Sequence, residues 1–157
     1  MIHGPYRFSV GESQFYVLED DDLDYLKNRT ITAADHDGLA AGGKNHLYVI
    51  AGISAGHAMI SFDLSPTPLA RDQTQAWDDV TELSYTSTLG IAHLTACMGP
   101  DENSDDMDAY EINLAFTGPA TYCMRLHAHG RDTNPDGVQE PDEPIAEHYL
   151  LQAWPTP

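Results

Sequence analysis

The sequence predicts an all-β protein: an antiparallel β-sandwich, jelly-roll-like, of about nine strands with one short helix, in a single domain over residues 1–157. Three observations predict it. Short apolar stretches recur along the chain, punctuated by Gly, Pro, Asp and Asn. Residues 121–129 alternate, with Tyr122, Met124, Leu126 and Ala128 on one face and Thr121, Cys123, Arg125, His127 and His129 on the other. Residues 146–154 are apolar on both faces, with His148, Leu150 and Trp154 opposed to Tyr149, Leu151 and Ala153, as in a central strand covered on both sides.

In chain order, residues 6–10 and 14–18 read as strands across a turn at Gly11-Glu12-Ser13. Glu19, Asp20, Asp21, Asp22 and Asp24 repel one another and predict a solvated loop. Thr32 with Asp35 three residues on is a capping pattern. It predicts a short helix over 33–41, weakened by Gly38 and stopped by Gly42-Gly43. Residues 46–53 and 57–64 read as strands joined by Ser54-Ala55-Gly56, a hairpin-sized link. Residues 66–75 are irregular. Trp77-Asp78-Asp79 leads into a strand over 80–87, and Gly90 turns the chain into another over 91–98. Residues 99–108 form a second acidic loop and 110–116 a further strand. The last unit is a hairpin, 121–129 against 146–154, around an acidic loop with Gly and Pro. Pro155 and Pro157 end its pairing, because proline has no N–H to donate.

A chain of this length buries roughly 70% of its unfolded surface, enough to fold without a disulfide or metal. The two cysteines, Cys97 and Cys123, fall in predicted strands and read as small buried core residues. No basic start followed by an apolar run marks a signal peptide. The expectation is therefore a cytoplasmic protein with reduced thiols. Twenty-five acidic residues against seven basic ones give a formal net charge of −18. Such a surface repels nucleic acid and anionic membranes, and attracts basic proteins or divalent cations. The same charge also serves solubility alone.

Two stretches could carry chemistry. Asp132, Asn134, Asp136, Val138, Glu140 and Glu143, with Gly137 at the sixth position of the loop, fit the spacing of a calcium-binding loop. Strand-like flanks, Gln139 where an apolar residue is usual, and the restraints of Pro135 and Pro141 all depart from that template. His127 and His129 point the same way on one strand, as metal-binding pairs in cupin-type barrels do. No glutamate follows at short range and Arg125 shares their face, so they read as polar surface residues. No nucleophile signature surrounds either cysteine, and there is no phosphate-binding glycine loop. Tyr6, Phe8, Tyr16, Tyr48, Phe62 and Tyr85 read as core.

Three stretches carry a resemblance: Trp77-Asp78-Asp79-Val80-Thr81-Glu82-Leu83-Ser84, the strand over 118–131, and Glu147-His148-Tyr149-Leu150-Leu151-Gln152-Ala153-Trp154-Pro155. They resemble a group of small bacterial β-rich proteins and, more distantly, the competence protein J type of nuclease inhibitor. The likeness covers about the last half of the chain and rests on packing residues. It implies an acidic, β-rich protein that acts by binding a nuclease, and it assigns no individual residue.

Three functional expectations follow. The first is a non-enzymatic binding protein of the inhibitor or immunity type for a basic partner such as a nuclease or toxin. Asp20, Asp21, Asp22, Asp24, Asp101, Asp105, Asp106 and Asp108 would then steer the encounter, together with the acids of residues 132–143. The second is a calcium- or small-ligand-binding module using residues 132–143. The third is a metal-dependent enzyme of a cupin-like barrel, built on His127, His129 and nearby acids.

Overall fold

The computed structural model describes residues 1–19, 38–97 and 107–157. The described residues form nine strands and one short helix. The strands are β1 (Ile2–Val10), β2 (Gln14–Leu18), β3 (Ala40–Gly43), β4 (His46–Ile50), β5 (Gly56–Leu64), β6 (Asp79–Ser87) and β7 (His93–Ala96). Helix α1 (Asp108–Glu111) follows, then β8 (Ala120–His129) and β9 (His148–Pro155). They build two sheets, a large one in the order β1-β5-β9-β8-β6 and a small one in the order β3-β4-β2-β7. The predicted sandwich is therefore correct in class. One pair departs from the antiparallel expectation, since β5 and β9 run parallel in register Met59 to His148 through Leu64 to Ala153.

The β8–β9 hairpin is the spine of the large sheet. Its residues pair from Tyr122 with Pro155 to His129 with His148. The alternation of β8 is realised, with Tyr122, Met124, Leu126 and Ala128 all fully buried between the sheets. Strand β9 is central, as its two-sided apolar pattern predicts. Tyr149, Leu151 and Ala153 face the core, while Leu150, Gln152 and Trp154 are buried on the opposite face. The core joins Phe8, Phe15 and Tyr149 in edge-on contact, at centroid distances of 4.7 Å for Phe8–Phe15 and 5.0 Å for Phe15–Tyr149. Strand β3 turns into β4 through Lys44 and Asn45, and Asn45 takes φ +58°. The same turn ties the sheets together, because Asn45 N–H donates to Thr86 O at 2.9 Å.

Four expectations are corrected. The end of the predicted helix lies in β3, where Ala40 pairs with Val49 and Gly43 with His46. Cross-strand pairing overrides the local helical preference there, and residues 33–37 lie outside the described residues. Residues 54–56 do not close a hairpin, because β4 belongs to the small sheet and β5 to the large one. The predicted strand over 110–116 is the end of α1 followed by irregular chain. There Leu114 and Ala115 are buried in succession, which breaks a period of two, and Asn113 Oδ1 accepts from Ala92 N–H and Ala115 N–H. Finally, Tyr16 and Tyr48 are not between the sheets. They pair across β2 and β4 on the outer face of the small sheet, with ring centroids 5.7 Å apart.

Candidate partner-binding surface

Two irregular segments dress the large sheet, and both are pinned by buried polar side chains. The first is the loop between β8 and β9. Gly130 opens it at φ +85°, where a Cβ would collide with Ala146 O. Gly130 N–H donates to Asp78 Oδ2 at 2.8 Å, and Arg131 reaches Asp79 Oδ2 at 3.3 Å and Gly38 O at 2.8 Å. The loop then lies along residues 52–55. Asp136 N–H donates to Gly52 O, Ser54 N–H to Gly137 O, and Gln139 N–H to Ala55 O, at 2.7–2.9 Å.

Two side chains lock this flap. Gln139, at 8% exposure, accepts from His57 N–H at 3.0 Å and donates to Glu143 O at 2.9 Å. Glu147, at 2%, accepts from Gly52 N–H at 2.8 Å, Ile53 N–H at 2.6 Å and the Tyr149 hydroxyl at 2.7 Å. Burial first, then the Glu147 charge and this hydrogen bond, push the Tyr149 hydroxyl well above its usual range. In the sequence Gln139 stands out only as a misfit to the calcium-loop spacing, and nothing marks Glu147 except that it is the one carboxylate in the apolar stretch 146–154.

With its backbone fixed, the flap presents Asp132, Asp136, Glu140, Asp142 and Glu143 to solvent, beside exposed Asn134 and Val138. The proposed calcium ligands thus sit on one exposed loop. The Asn134 amide folds over Gly137, and Asp136 takes φ +59°. Among the described residues, no three His, Cys, Asp or Glu groups converge as a metal site. Of the acids expected to steer a partner, Asp108 is exposed in the first turn of α1. Asp20, Asp21, Asp22, Asp24, Asp101, Asp105 and Asp106 lie outside the described residues.

The second segment is the connection from residue 65 to 78, a strap with no regular structure laid over the outer face of the large sheet. Arg125 donates to Leu69 O at 2.9 Å and Gln152 to Ala70 O at 3.1 Å. Asp72 N–H donates to His127 Nε2 at 3.3 Å. His127 is therefore not a surface residue. It is fully buried, with Nδ1 3.2 Å from Leu150 O and its ring 5.3 Å from that of Trp77. Burial holds its pKa below the usual histidine range, against the opposing pull of the Leu150 carbonyl and Asp72; Arg125 and Arg71 add to the lowering. His129 is half-exposed, with Nδ1 3.5 Å from Asp78 Oδ2. The pair does not share a common environment.

The cysteines are likewise not core residues. Both are half-buried and free. Burial raises the Cys123 thiol, reinforced by Glu82 and opposed by Arg125, which disfavours the nucleophilic thiolate. Cys97 lies near the Tyr16 hydroxyl at 3.5 Å and Glu12 Oε2 at 3.8 Å.

Between the strap and β1 runs an open groove of about 320 Å³. Its walls are Trp77 and Asp72 on one side and Ile2 and Pro5 on the other, over a floor that includes Met59 and Ser61. Asp72 Oδ2 accepts from Trp77 Nε1 at 2.7 Å and Thr74 Oγ1 at 2.9 Å. Partial burial pushes the Asp72 carboxyl up, but the bonds from Trp77 and Thr74, with His127, outweigh it and the net shift is downward. A smaller recess of about 90 Å³ lies under the flap, beside Gln139 and Glu147.

In fold, the whole chain matches a nuclease inhibitor. ComJ, inhibitor of the DNA-degrading activity of NucA from Bacillus subtilis, superposes with a TM-score of 0.57 at 15% identity, covering 99% of this chain and 98% of ComJ. A second structure, of crocagin biosynthetic gene J, matches at a TM-score of 0.52 and 11% identity, over 99% of this chain and 100% of its own. The sequence matches no protein-family model and no curated protein. The resemblance read from the last half of the sequence therefore extends, as fold, over the full length. Identities this low carry the fold and nothing about shared residues.

Proposed function

We propose that this protein is an acidic binding protein of the inhibitor type, whose partner is a basic protein of the nuclease class. The observation that carries the reading is the end-to-end match in fold to a nuclease inhibitor, in a chain of net charge −18. The flap gives that charge a fixed form. Its exposed carboxylates project from a backbone held by Gln139 and Glu147, so an incoming cationic surface meets an ordered rim. Such a rim raises the encounter rate and selects basic partners.

The test is inhibition of DNA degradation. Nuclease activity from the native host's extract is fractionated, and each fraction is assayed with and without the purified chain at rising salt. One fraction is expected to be inhibited, and the inhibition to weaken as ionic strength rises towards a Debye length of about 8 Å. Replacing Asp132, Asp136, Glu140 and Asp142 by their amides is expected to slow association. No inhibited fraction at low salt refutes the inhibitor reading. Inhibition indifferent to salt refutes the electrostatic part of it.

A further inference from the structure

Strands β5 and β6 run parallel with β9 and β8 between them, so the chain must cross the face of the large sheet to join them, and the strap is that crossover. Here three polar side chains, Arg125, His127 and Gln152, are withdrawn from water on the outer face of the sheet and spent on fixing that connection. The result is a rigid groove with a tryptophan and a carboxylate in one wall. Asp72 is charged, and among the described residues its second oxygen, Oδ1, accepts from Thr74 Oγ1 alone, at 3.1 Å. At about 320 Å³ the groove stands at the low end of ligand clefts, the size for one long side chain rather than a large molecule.

The same sheet face shows how this chain holds a guanidinium. Arg125 Cζ stands 4.9 Å from the Trp154 ring centroid, and Arg125 Nε donates to Glu82 Oε1 at 2.7 Å. A tryptophan face and a carboxylate together satisfy a planar cation. The groove offers the same two groups, Trp77 and Asp72, next to each other and open to solvent. Its apolar remainder, Ile2, Pro5 and Met59, suits the methylene stem of the incoming side chain.

We infer that the groove between the strap and β1 is the anchor site for an arginine side chain presented by a basic protein partner, with Asp72 and Trp77 as its ligands. This rests on the reading of the protein as a binder of basic proteins, and it places the central contact in that groove rather than on the acidic flap. A buried aromatic anchor ringed by contacts that exclude water is the usual form of an interface hot spot.

The test is an NMR titration of the isotopically labelled full chain with three peptides: acetyl-Gly-Arg-Gly-amide, its lysine counterpart and its neutral citrulline counterpart. The Trp77 indole N–H is expected to shift saturably with the arginine peptide, and the citrulline peptide to bind about tenfold or more weakly, the loss of one charge-assisted contact. The lysine peptide is expected to fall between. Asp72→Asn should abolish the discrimination. Because Asp72 also shapes the strap, Ser61→Lys serves as a second variant. It places a cation on the groove floor without removing the bonds of Asp72 to Trp77 and Thr74, and should block the arginine peptide while the amide signals of residues away from the groove keep their positions. Equal shifts from all three peptides, or arginine binding unchanged in both variants, would overturn the inference in favour of diffuse attraction. The nuclease assay separates the two readings. Peptide binding without inhibition of any nuclease sinks the inhibitor reading alone. Full inhibition by Ser61→Lys sinks the groove alone.

Discussion

Glu147→Ala removes the carboxylate that fastens the flap and the 52–53 corner to β9. Three donors lose their acceptor: Gly52 N–H, Ile53 N–H and the Tyr149 hydroxyl, each within 2.8 Å in the native protein. Hydrogen bonds to a charged group are worth about 1.5–3 kcal/mol each, but bonds sharing one side chain do not add. Removing one member of a satisfied buried charge cluster costs about 3–5 kcal/mol, and we expect a loss in that range. For a chain of this size each kcal/mol lowers Tm by about 2–4 °C, so a drop of roughly 6–20 °C is expected. Glu147→Gln keeps the shape and one acceptor oxygen but turns an N–H donor against an amide N–H, so it should lose about 1–3 kcal/mol. Urea unfolding at neutral pH measures both, and hydrogen exchange at Gly52 and Ile53 localises the effect. An alanine variant within about 0.5 kcal/mol of wild type, the range of ordinary surface changes, would refute the assignment of Glu147 as the flap's anchor.

His127 gives a pH prediction. Its folded pKa is depressed below 6.5, so its contribution to stability is complete above that value and is lost as pH falls through the folded pKa. Wild type should lose more stability than His127→Gln between pH 7 and pH 5. Superimposable pH profiles would show that the strap is not latched by a neutral imidazole. Tyr149 works at the alkaline end. Its raised pKa means stability that is intact below pH 10 and lost above it, and Tyr149→Phe should flatten that limb. Tyr122→Phe removes a hydroxyl that accepts from Thr117 N–H at 3.1 Å and donates to Gly118 O at 2.7 Å, and should cost about 1–3 kcal/mol by urea unfolding. Calcium titration of the chain is expected to give no saturable heat. A heat that disappears in Asp136→Ala would support the calcium-loop reading instead.

What was legible in the sequence was what local periodicity encodes. Tyr122, Met124, Leu126 and Ala128 announce a one-sided strand, and β9 announces its central place by having no polar face. What was not legible depends on long-range contacts. Tyr110, Ile112, Leu114 and Phe116 alternate like a strand, yet the segment finds its partners through α1 and Asn113. Ala40 and Ala41 favour a helix until β4 offers them a ladder. His127 sits on the polar side of an alternating strand, and nothing near it in sequence says that residues 65–78 fold back to bury it. Of the site, the exposed acids of the flap could be read directly. Asp72 and Trp77 could not, because the groove exists only once the strap is laid down.

The strap and the flap share one design, and it bears on which part of the surface meets a partner. Each is an irregular segment whose backbone is held by buried polar side chains from the β8–β9 hairpin or the flap itself: Arg125, His127 and Gln152 under the strap, Gln139 and Glu147 under the flap. Burying such groups stabilises a fold no better than apolar packing would. Its gain is definition, since each bond fixes one backbone group in one place. Rigid loops lose little entropy on binding, so their cost at an interface is low. Under the proposed function the flap would supply charge at long range and the groove a shaped contact at short range. A binding surface for a cationic protein needs both, the first for the encounter and the second for the hold.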